Sequence, residues 1–137
     1  MFLKKICVAI MLVFCVNSLA FEHDINIIKN SVQGKVIFLM GYPGSGKGTQ
    51  GKILEKLLAI PHVSTGELFR AEKESNSKIG RQMADFMNRG EIIPSELTFE
   101  YLRQEFAKEK YKNGFILDGY PKSLECFNFI ISLCSVS

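Results

Sequence analysis

A glycine-rich segment that contains a lysine is the part of the sequence best suited to chemistry. Residues 41–48 read GYPGSGKG. Glycines let the backbone approach a phosphate closely, because a side chain at those positions would hold the phosphate away. The N–H groups of such a loop converge on one anion, and the helix that follows points its positive end at it. Lys47 adds a mobile cation for the outer phosphates, so the segment predicts a loop that binds the phosphates of a nucleotide.

The residues after this lysine depart from the general phosphate-loop motif. That motif has Ser or Thr directly after the lysine, whereas here Gly48 comes first and Thr49 next. The alternative interpretation is a glycine-rich turn that binds nothing. A buried-strand pattern before the loop and a helical pattern after it favour phosphate binding.

The cysteines predict neither a zinc site nor a redox motif. Cys126 and Cys134 stand eight residues apart, without a CxxC pair or a histidine beside them. A disulfide between them after export is one interpretation, and reduced, buried thiols are the favoured one. Cys7 and Cys15 lie in the N-terminal segment.

The elements that must position the loop follow from the hydrophobic pattern. Residues 35–40 contain a continuous apolar run of strand length, which is typical of a parallel strand buried on both faces. A helical pattern begins at Lys47 and is stopped by Pro61. One face of this helix carries Ile53, Leu54, Leu57 and Leu58.

Short strands and helices then alternate along the chain. Strands are predicted at residues 62–64 and 115–118, the second of them ending at Asp118. The signals that begin or end the helices are Ser64 or Thr65 as the cap of one helix, Gly90 after the next, Pro94-Ser95 before a third and Ser123 before the last. This order predicts a single α/β domain with a parallel sheet and flanking helices.

The N-terminus has the pattern of a secretory signal peptide over residues 1–20. Two lysines precede an apolar run over residues 6–16, and small residues precede a cleavage point after Ala20. The run is too short to span a bilayer comfortably, since that takes ~20 apolar residues. A retained N-terminal helix is the alternative. Residues 21–34 form a lead-in segment without a clear period.

The charge of the chain is nearly balanced once the signal is set aside. Cleavage after Ala20 would remove two of the 17 basic residues and leave 15 against 14 acidic ones, a net charge of +1. Such a balance gives no general attraction to nucleic acid or membrane surfaces. We therefore expect no nucleic-acid partner and no stable membrane span in the mature chain, and the sequence indicates no protein partner.

Four segments in register resemble the adenylate kinase family. They are GYPGSGKGTQ at residues 41–50, HVSTGELFR at 62–70, MNRGEIIP at 87–94 and GFILDGYP at 114–121. The first is similar to the family's phosphate loop, in which GKGTQ replaces the usual GKS or GKT. The resemblance implies an α/β fold of the P-loop NTPase type with its core at residues 35–128. Within that core it implies a nucleoside monophosphate-binding segment at residues 64–94.

The resemblance implies a donor site for ATP and Mg²⁺. Lys47, Asp118 and Lys122 would be the catalytic residues. Thr49 and Asp118 would hold Mg²⁺ indirectly, a role that suits a carboxylate at the end of a strand. The residues that would bind the ATP phosphates are Gly44, Ser45, Gly46, Lys47, Gly48 and Thr49.

The resemblance also implies an acceptor site for AMP. Thr65 would touch the sugar or base, and Arg70 would clamp the phosphate. The full set of implied AMP-binding residues is Thr65, Gly66, Arg70, Ile92, Ile93, Gly119 and Lys122. Taken singly, Arg70 would more simply be a solvated helix residue and Asp118 a turn or cap residue, whereas within the four segments their functional roles are favoured.

The chain departs from the family pattern near the acceptor. Lys122 replaces an arginine, and a lysine cannot grip phosphate oxygens at two points as a guanidinium does. Cys126 falls where the family has a glutamine that reads the adenine edge, and Tyr120 is a mild replacement of phenylalanine. The family continues into a second, arginine-bearing lid and further strands, whereas residues 129–137 form a tail without that resemblance. We therefore expect a fold incomplete at its C-terminus and impaired phosphoryl transfer.

The function that the resemblance implies is phosphoryl transfer from MgATP to AMP to give two ADP. Three alternatives stay open: a kinase for another nucleoside monophosphate, an ATP-binding module without catalysis, and a non-functional fragment. The location is open as well. The predicted signal favours export to the periplasm or beyond, while the kinase motifs favour the cytoplasm.

Overall fold

The computed structural model describes residues 21–135. The predicted signal peptide lies outside the described residues, as does the end of the predicted tail. The elements are α1 (Phe21–Val32), β1 (Val36–Leu39), α2 (Lys47–Leu58), β2 (His62–Ser64), α3 (Thr65–Glu74), α4 (Lys78–Asn88), α5 (Ser95–Phe106), a 3₁₀ turn (Glu109–Tyr111), β3 (Phe115–Asp118) and α6 (Leu124–Ser135). The predicted α/β class is confirmed. No helix in this part of the chain has the length and apolar character needed to cross a membrane.

The three strands form one parallel sheet in the order β1-β3-β2. Phe115 to Asp118 of β3 pair with Val36 to Leu39 of β1, and β2 pairs on the other side of β3. All four residues of β3 are buried, which explains its continuous apolar pattern.

The core consists of two clusters, one on each face of the sheet. Alternate residues of β3 point to opposite faces, so Ile116 belongs to one cluster and Leu117 to the other. The smaller cluster joins α1 and α2 to the sheet through Val32 and Leu58. The larger cluster gathers residues of α4, α5 and α6: Ile79, Met83, Tyr101, Leu102, Phe129 and Ile130.

Two expectations about the smaller cluster were wrong. The lead-in segment, expected to lack a regular period, contains helix α1. Two residues spaced four apart, Ile28 and Val32, give it an apolar stripe too narrow to detect by pattern alone. Ile53 does not join the buried face of α2, because it lies at the edge of that face and is 43% exposed.

The predicted residues at helix ends are confirmed at Ser64, Gly90 and Ser123. Ser64 rather than Thr65 caps α3, since its hydroxyl oxygen accepts from the N–H of Glu67 at 3.4 Å. Gly90 follows α4 with a φ of +69°, the left-handed conformation expected after a helix end. Ser123 caps α6, which continues without a break past residue 128 and buries Phe129 and Ile130.

Candidate functional site

The parallel register brings the predicted site residues to one edge of the sheet. Leu39, the last residue of β1, pairs with Asp118, and Ser64, the last residue of β2, pairs with Asp118 from the other side. The glycine loop therefore begins beside Asp118, and α3 begins beside it as well. Ligands of open parallel sheets bind at this carboxyl edge, because loops and helix N-termini converge there.

The glycine loop is exposed and is closed by its own lysine. Gly44 and Gly46 have φ values of +77° and +85°, a conformation that residues with a side chain rarely adopt. The Lys47 ammonium donates to the carbonyl oxygen of Tyr42 at 2.8 Å, and the Ser45 N–H donates to the same oxygen at 3.2 Å. The lysine thus folds back over the loop that precedes it. Gly48 and Thr49 lie in the first turn of α2 with their surfaces exposed.

Asp118 is held next to a buried histidine. The carboxylate oxygen Oδ2 of Asp118 lies 3.4 Å from Nε2 of His62, and both side chains are nearly buried. The backbone N–H of His62 donates to Oε1 of Glu55 on α2 at 3.0 Å. Gly51 of α2 leaves the space that the imidazole occupies, because a Cβ there would lie 2.3 Å from the ring. His62 lies at the start of one of the family-like segments, but no sequence signal assigned it a role.

The guanidinium of Arg70 lies close to the first turn of α3. A Cβ on Gly66 would lie 3.4 Å from Nη1 of Arg70, so the guanidinium reaches back one turn toward the helix N-terminus. Thr65 is only 3% exposed, and its hydroxyl donates to the backbone oxygen of Asp118 at 3.3 Å. The hydroxyl of Thr65 is therefore committed to joining α3 to β3. Its predicted contact with AMP stays a prediction.

A cavity of about 350 Å³ lies beyond α3 and gathers the remaining acceptor residues. Its wall is mostly apolar, with one cation, one carboxylate and a few polar groups. Lining residues include Phe69, Met87, Ile92, Ile93, Tyr120, Lys122 and Cys126. Ile92 is 93% exposed, and Lys122 is also exposed at the rim. The structure thus brings Ile92, Ile93 and Lys122 together, while Gly119 contacts Thr65 at the edge of the sheet.

Sequence reasoning did not predict that the Tyr120 hydroxyl and the Cys126 thiol lie together at this cavity. Tyr120 is 3% exposed, and its hydroxyl forms no hydrogen bond of standard geometry with any described residue. Burial, followed by interaction with the Cys126 thiol, raises the pKa of Tyr120. Partial burial opposes ionisation of Cys126, but its polar surroundings, first Ser123 and then Tyr120 and nearby backbone groups, outweigh it and lower the pKa of that thiol. The change from phenylalanine to Tyr120 was the available signal.

The described residues offer few direct ligands for a metal ion. No group of three or more His, Cys, Asp or Glu side chains in that part of the chain is placed to hold one. Mg²⁺ fits such a site, because it keeps several waters and binds through one or two carboxylates and the phosphates of its nucleotide. Asp118 and the hydroxyl of Thr49 are donors of this kind at the same edge of the sheet.

Neither cysteine of α6 forms a disulfide with another described residue. The expectation of reduced thiols is thereby confirmed. Both side chains are only partly buried, so the expectation that they are buried was wrong.

Comparison with known proteins gives one family. The sequence profile described as "Adenylate kinase" matches residues 39–131. The adenylate kinase of Ruminiclostridium cellulolyticum is 47% identical over 88 residues, which are 64% of this chain and 41% of the relative. Adenylate kinases of Thermosipho melanesiensis and Listeria monocytogenes are 46% and 43% identical, again over 41% of their length. The chain thus spans about two fifths of the relatives it matches. With the profile covering more than half of the chain, this protein belongs to the adenylate kinase family.

Proposed function

We propose that this chain binds MgATP at the glycine loop and transfers its terminal phosphoryl group to a nucleoside monophosphate, AMP foremost. The observation that carries the proposal is the register at the carboxyl edge of the sheet. Asp118 pairs with both Leu39 and Ser64, so the glycine loop and the start of α3 lie on either side of one carboxylate. Donor and acceptor groups are thereby brought to the same place.

The donor half rests on the glycine loop. Lys47 now donates to a neutral carbonyl oxygen, and a phosphate oxygen is a stronger acceptor for an ammonium group. The exposed surface from Gly44 to Thr49 leaves a nucleotide access to the loop. We infer that the phosphates lie over the N-terminus of α2, where the helix dipole favours negative charge.

The acceptor half rests on α3 and the mostly apolar cavity. The Arg70 guanidinium, close to the N-terminal turn of α3, would bind the phosphate of the acceptor. The cavity offers Phe69, Met87 and Ile93 to a flat base. Its one lysine, Lys122, would approach the group being transferred.

The proposed mechanism is direct in-line transfer without a phosphorylated side chain. The protein positions the two nucleotides and neutralises the charge that spreads over the transferring phosphoryl. Asp118 and Thr49 would hold Mg²⁺ indirectly, and the ion would supply positive charge against the phosphates of ATP. Asp118 would orient its waters, and the imidazole of His62 limits where that carboxylate can point.

The test is ADP formation from MgATP and AMP by the purified chain and by its Lys47→Ala variant. We expect the variant to lose at least about a hundredfold in turnover, because Lys47 would stabilise transition-state charge. Lys52→Ala is the matched control, since Lys52 is an exposed lysine on the same helix. Equal background turnover in all three proteins would contradict the proposal. ATP binding that depends on Lys47, without turnover, would instead favour a binding module.

The compartment of the proposed reaction has its own test. The predicted signal at residues 1–20 would carry the chain out of the cytoplasm, into surroundings in which ATP is scarce. N-terminal sequencing of the protein isolated from its own cells distinguishes the two locations. A start at Phe21 supports export, and an intact N-terminus at Met1 supports the cytoplasm.

A further inference from the structure

The acceptor cavity contains a thiol at the beginning of a helix. Cys126 is the third residue of α6, and its backbone N–H donates to the hydroxyl oxygen of Ser123 at 3.2 Å. Its side chain is partly exposed and lines the cavity together with Lys122. A thiolate is stabilised at a helix N-terminus and near a cation, so this position favours the reactive form of a cysteine.

The buried hydroxyl of Tyr120 is a second feature of the same cavity. Tyr120 is 3% exposed, lines the same cavity and leaves its hydroxyl without a hydrogen bond of standard geometry among the described residues. A buried polar group without a partner destabilises a fold, so a group that enters the cavity and accepts a hydrogen bond from it is favoured. A thiolate or a ligand oxygen would do so.

We propose that Cys126 is a thiol modification site, at which a small anionic disulfide reacts and closes the acceptor cavity. The Cys126 thiolate, its proton lost to solvent, attacks one sulfur of the disulfide. The sulfur–sulfur bond of the reagent breaks, one half stays on Cys126 as a mixed disulfide, and the other half leaves as a thiolate. A small-molecule thiol reverses the step by the same exchange.

The preference for an anionic reagent follows from the charges at the cavity. The cation of Lys122 stands at the rim, and the positive end of α6 faces the thiol. Glu91 also lines the cavity, but its carboxylate is paired with the guanidinium of Arg89 at 2.9 Å. Cys134 differs in both respects, because it lies in the last turn of the same helix and lines another cavity. The negative end of a helix disfavours a thiolate, so Cys134 is the natural internal reference.

Closure of the cavity is the functional consequence, and this part rests on the proposed function. A mixed disulfide on Cys126 would occupy space within a cavity of about 350 Å³ and leave little room for a base. AMP and the disulfide would then exclude each other. The glycine loop lies at the carboxyl end of β1, and Cys126 does not belong to it. ATP binding would therefore survive the modification.

The experiment uses the reduced full chain with dithiobis(nitrobenzoate), an anionic aromatic disulfide, and peptide mass mapping to follow each cysteine. We expect Cys126 to react at least about tenfold faster than Cys134, and saturating AMP to slow Cys126 alone. Tyr120→Phe should slow Cys126 a few-fold, because the buried hydroxyl at the cavity is then no longer available to donate to the thiolate. Cys134→Ser is the matched control and should leave the rate at Cys126 unchanged.

The outcomes separate the modification from the proposed function. Reaction of Cys126 no faster than Cys134 would overturn the modification site. A fast Cys126 that AMP protects, in a modified chain that has lost AMP but still binds ATP, would support both. A fast Cys126 in a chain that never binds AMP would uphold the modification and contradict the acceptor role of the cavity. AMP binding that is equal before and after modification would overturn the closure.

Discussion

Gly51 and His62 share a space that only a glycine leaves open. A Cβ at residue 51 would lie 2.3 Å from two atoms of the imidazole, which is far inside van der Waals contact. The imidazole in turn lies 3.4 Å from the carboxylate of Asp118. The spacing between α2 and the carboxyl end of β3 therefore depends on a glycine in the second turn of α2.

Gly51→Ala should destabilise the fold by about 1–3 kcal/mol, because the added methyl forces His62 out of its place. Urea unfolding followed by circular dichroism measures the change. Gly48→Ala is the matched control in the same helix, since a Cβ there meets no atom within 4 Å. We expect that control to be neutral or stabilising by about 0.5–1 kcal/mol. Equal stability of the two variants would contradict the packing argument.

Arg70→Ala should weaken the binding of AMP without affecting the binding of ATP. Hydrogen bonds to charged groups contribute about 1.5–3 kcal/mol, so we expect the KM for AMP to rise about tenfold to a hundredfold. Steady-state kinetics with each substrate varied in turn measures both values. Arg81→Ala is the control, because Arg81 is an exposed arginine of α4 that donates to the backbone oxygen of Asn76. A rise in the KM for ATP of the same size would indicate a loss of structure.

Lys122→Arg should increase the rate of transfer. The guanidinium restores a two-point grip on phosphate oxygens at the rim of the acceptor cavity. We expect kcat to rise at least about tenfold with little change in stability. Lys112→Arg, an exposed position that pairs with Glu109, provides the control for a general effect of added arginine. An unchanged kcat would mean that Lys122 does not approach the transferred group.

The buried carboxyl of Glu105 should cause the free energy of unfolding to fall at acidic pH. Burial would raise the pKa of this 4%-exposed carboxyl, but hydrogen bonds from Lys108, Tyr111 and Lys110 outweigh it and hold the pKa below its ordinary value. The Tyr111 hydroxyl, whose own pKa is raised by burial and by Glu105, donates to it at 2.8 Å. The folded state therefore binds its proton less readily than the unfolded state. The stabilisation is complete above the unfolded pKa of about 4.3 and is lost as the pH falls through the lower, folded value.

Glu105→Gln removes this contribution. We expect it to lower the free energy of unfolding by about 1–3 kcal/mol at neutral pH and to flatten the acid limb of the stability curve. Thermal melts across the acid range measure both effects. Glu109→Gln is the control, because Glu109 pairs with Lys112 at an exposed surface, where such pairs contribute about 0–1 kcal/mol. An acid limb unchanged in Glu105→Gln would rule out this carboxyl as the cause.

The sequence predicted what local patterns encode. The strand before the loop, the glycine loop and the caps at Ser64 and Ser123 each depend on neighbours within a few residues, and the structure contains all of them. Helix α1 was missed because its buried stripe is completed by residues of α2 and the sheet. The contact of Gly51 with His62 joins α2 to β2, and no local pattern specifies such a pair.

The same limit applies to the candidate site. Lys47, Arg70 and Asp118 were found because their motifs are contiguous in the chain. Tyr120 and Cys126 line the same cavity, although one lies in the turn after β3 and the other in α6. The buried hydroxyl of Thr65 likewise gained its partner only from the neighbouring strand. Side chains whose partners come from another element are not predictable from spacing.

The hydrogen bond from Lys47 to Tyr42 gives the glycine loop an order of its own before any nucleotide arrives. Ordering a long, flexible side chain costs conformational entropy, up to about 2 kcal/mol for a lysine. The hydrogen bond to Tyr42 already places the Lys47 side chain over the loop. On the proposed function, a phosphate would replace one acceptor by a stronger one, so the loop would be a preorganised receptor rather than one shaped by its ligand.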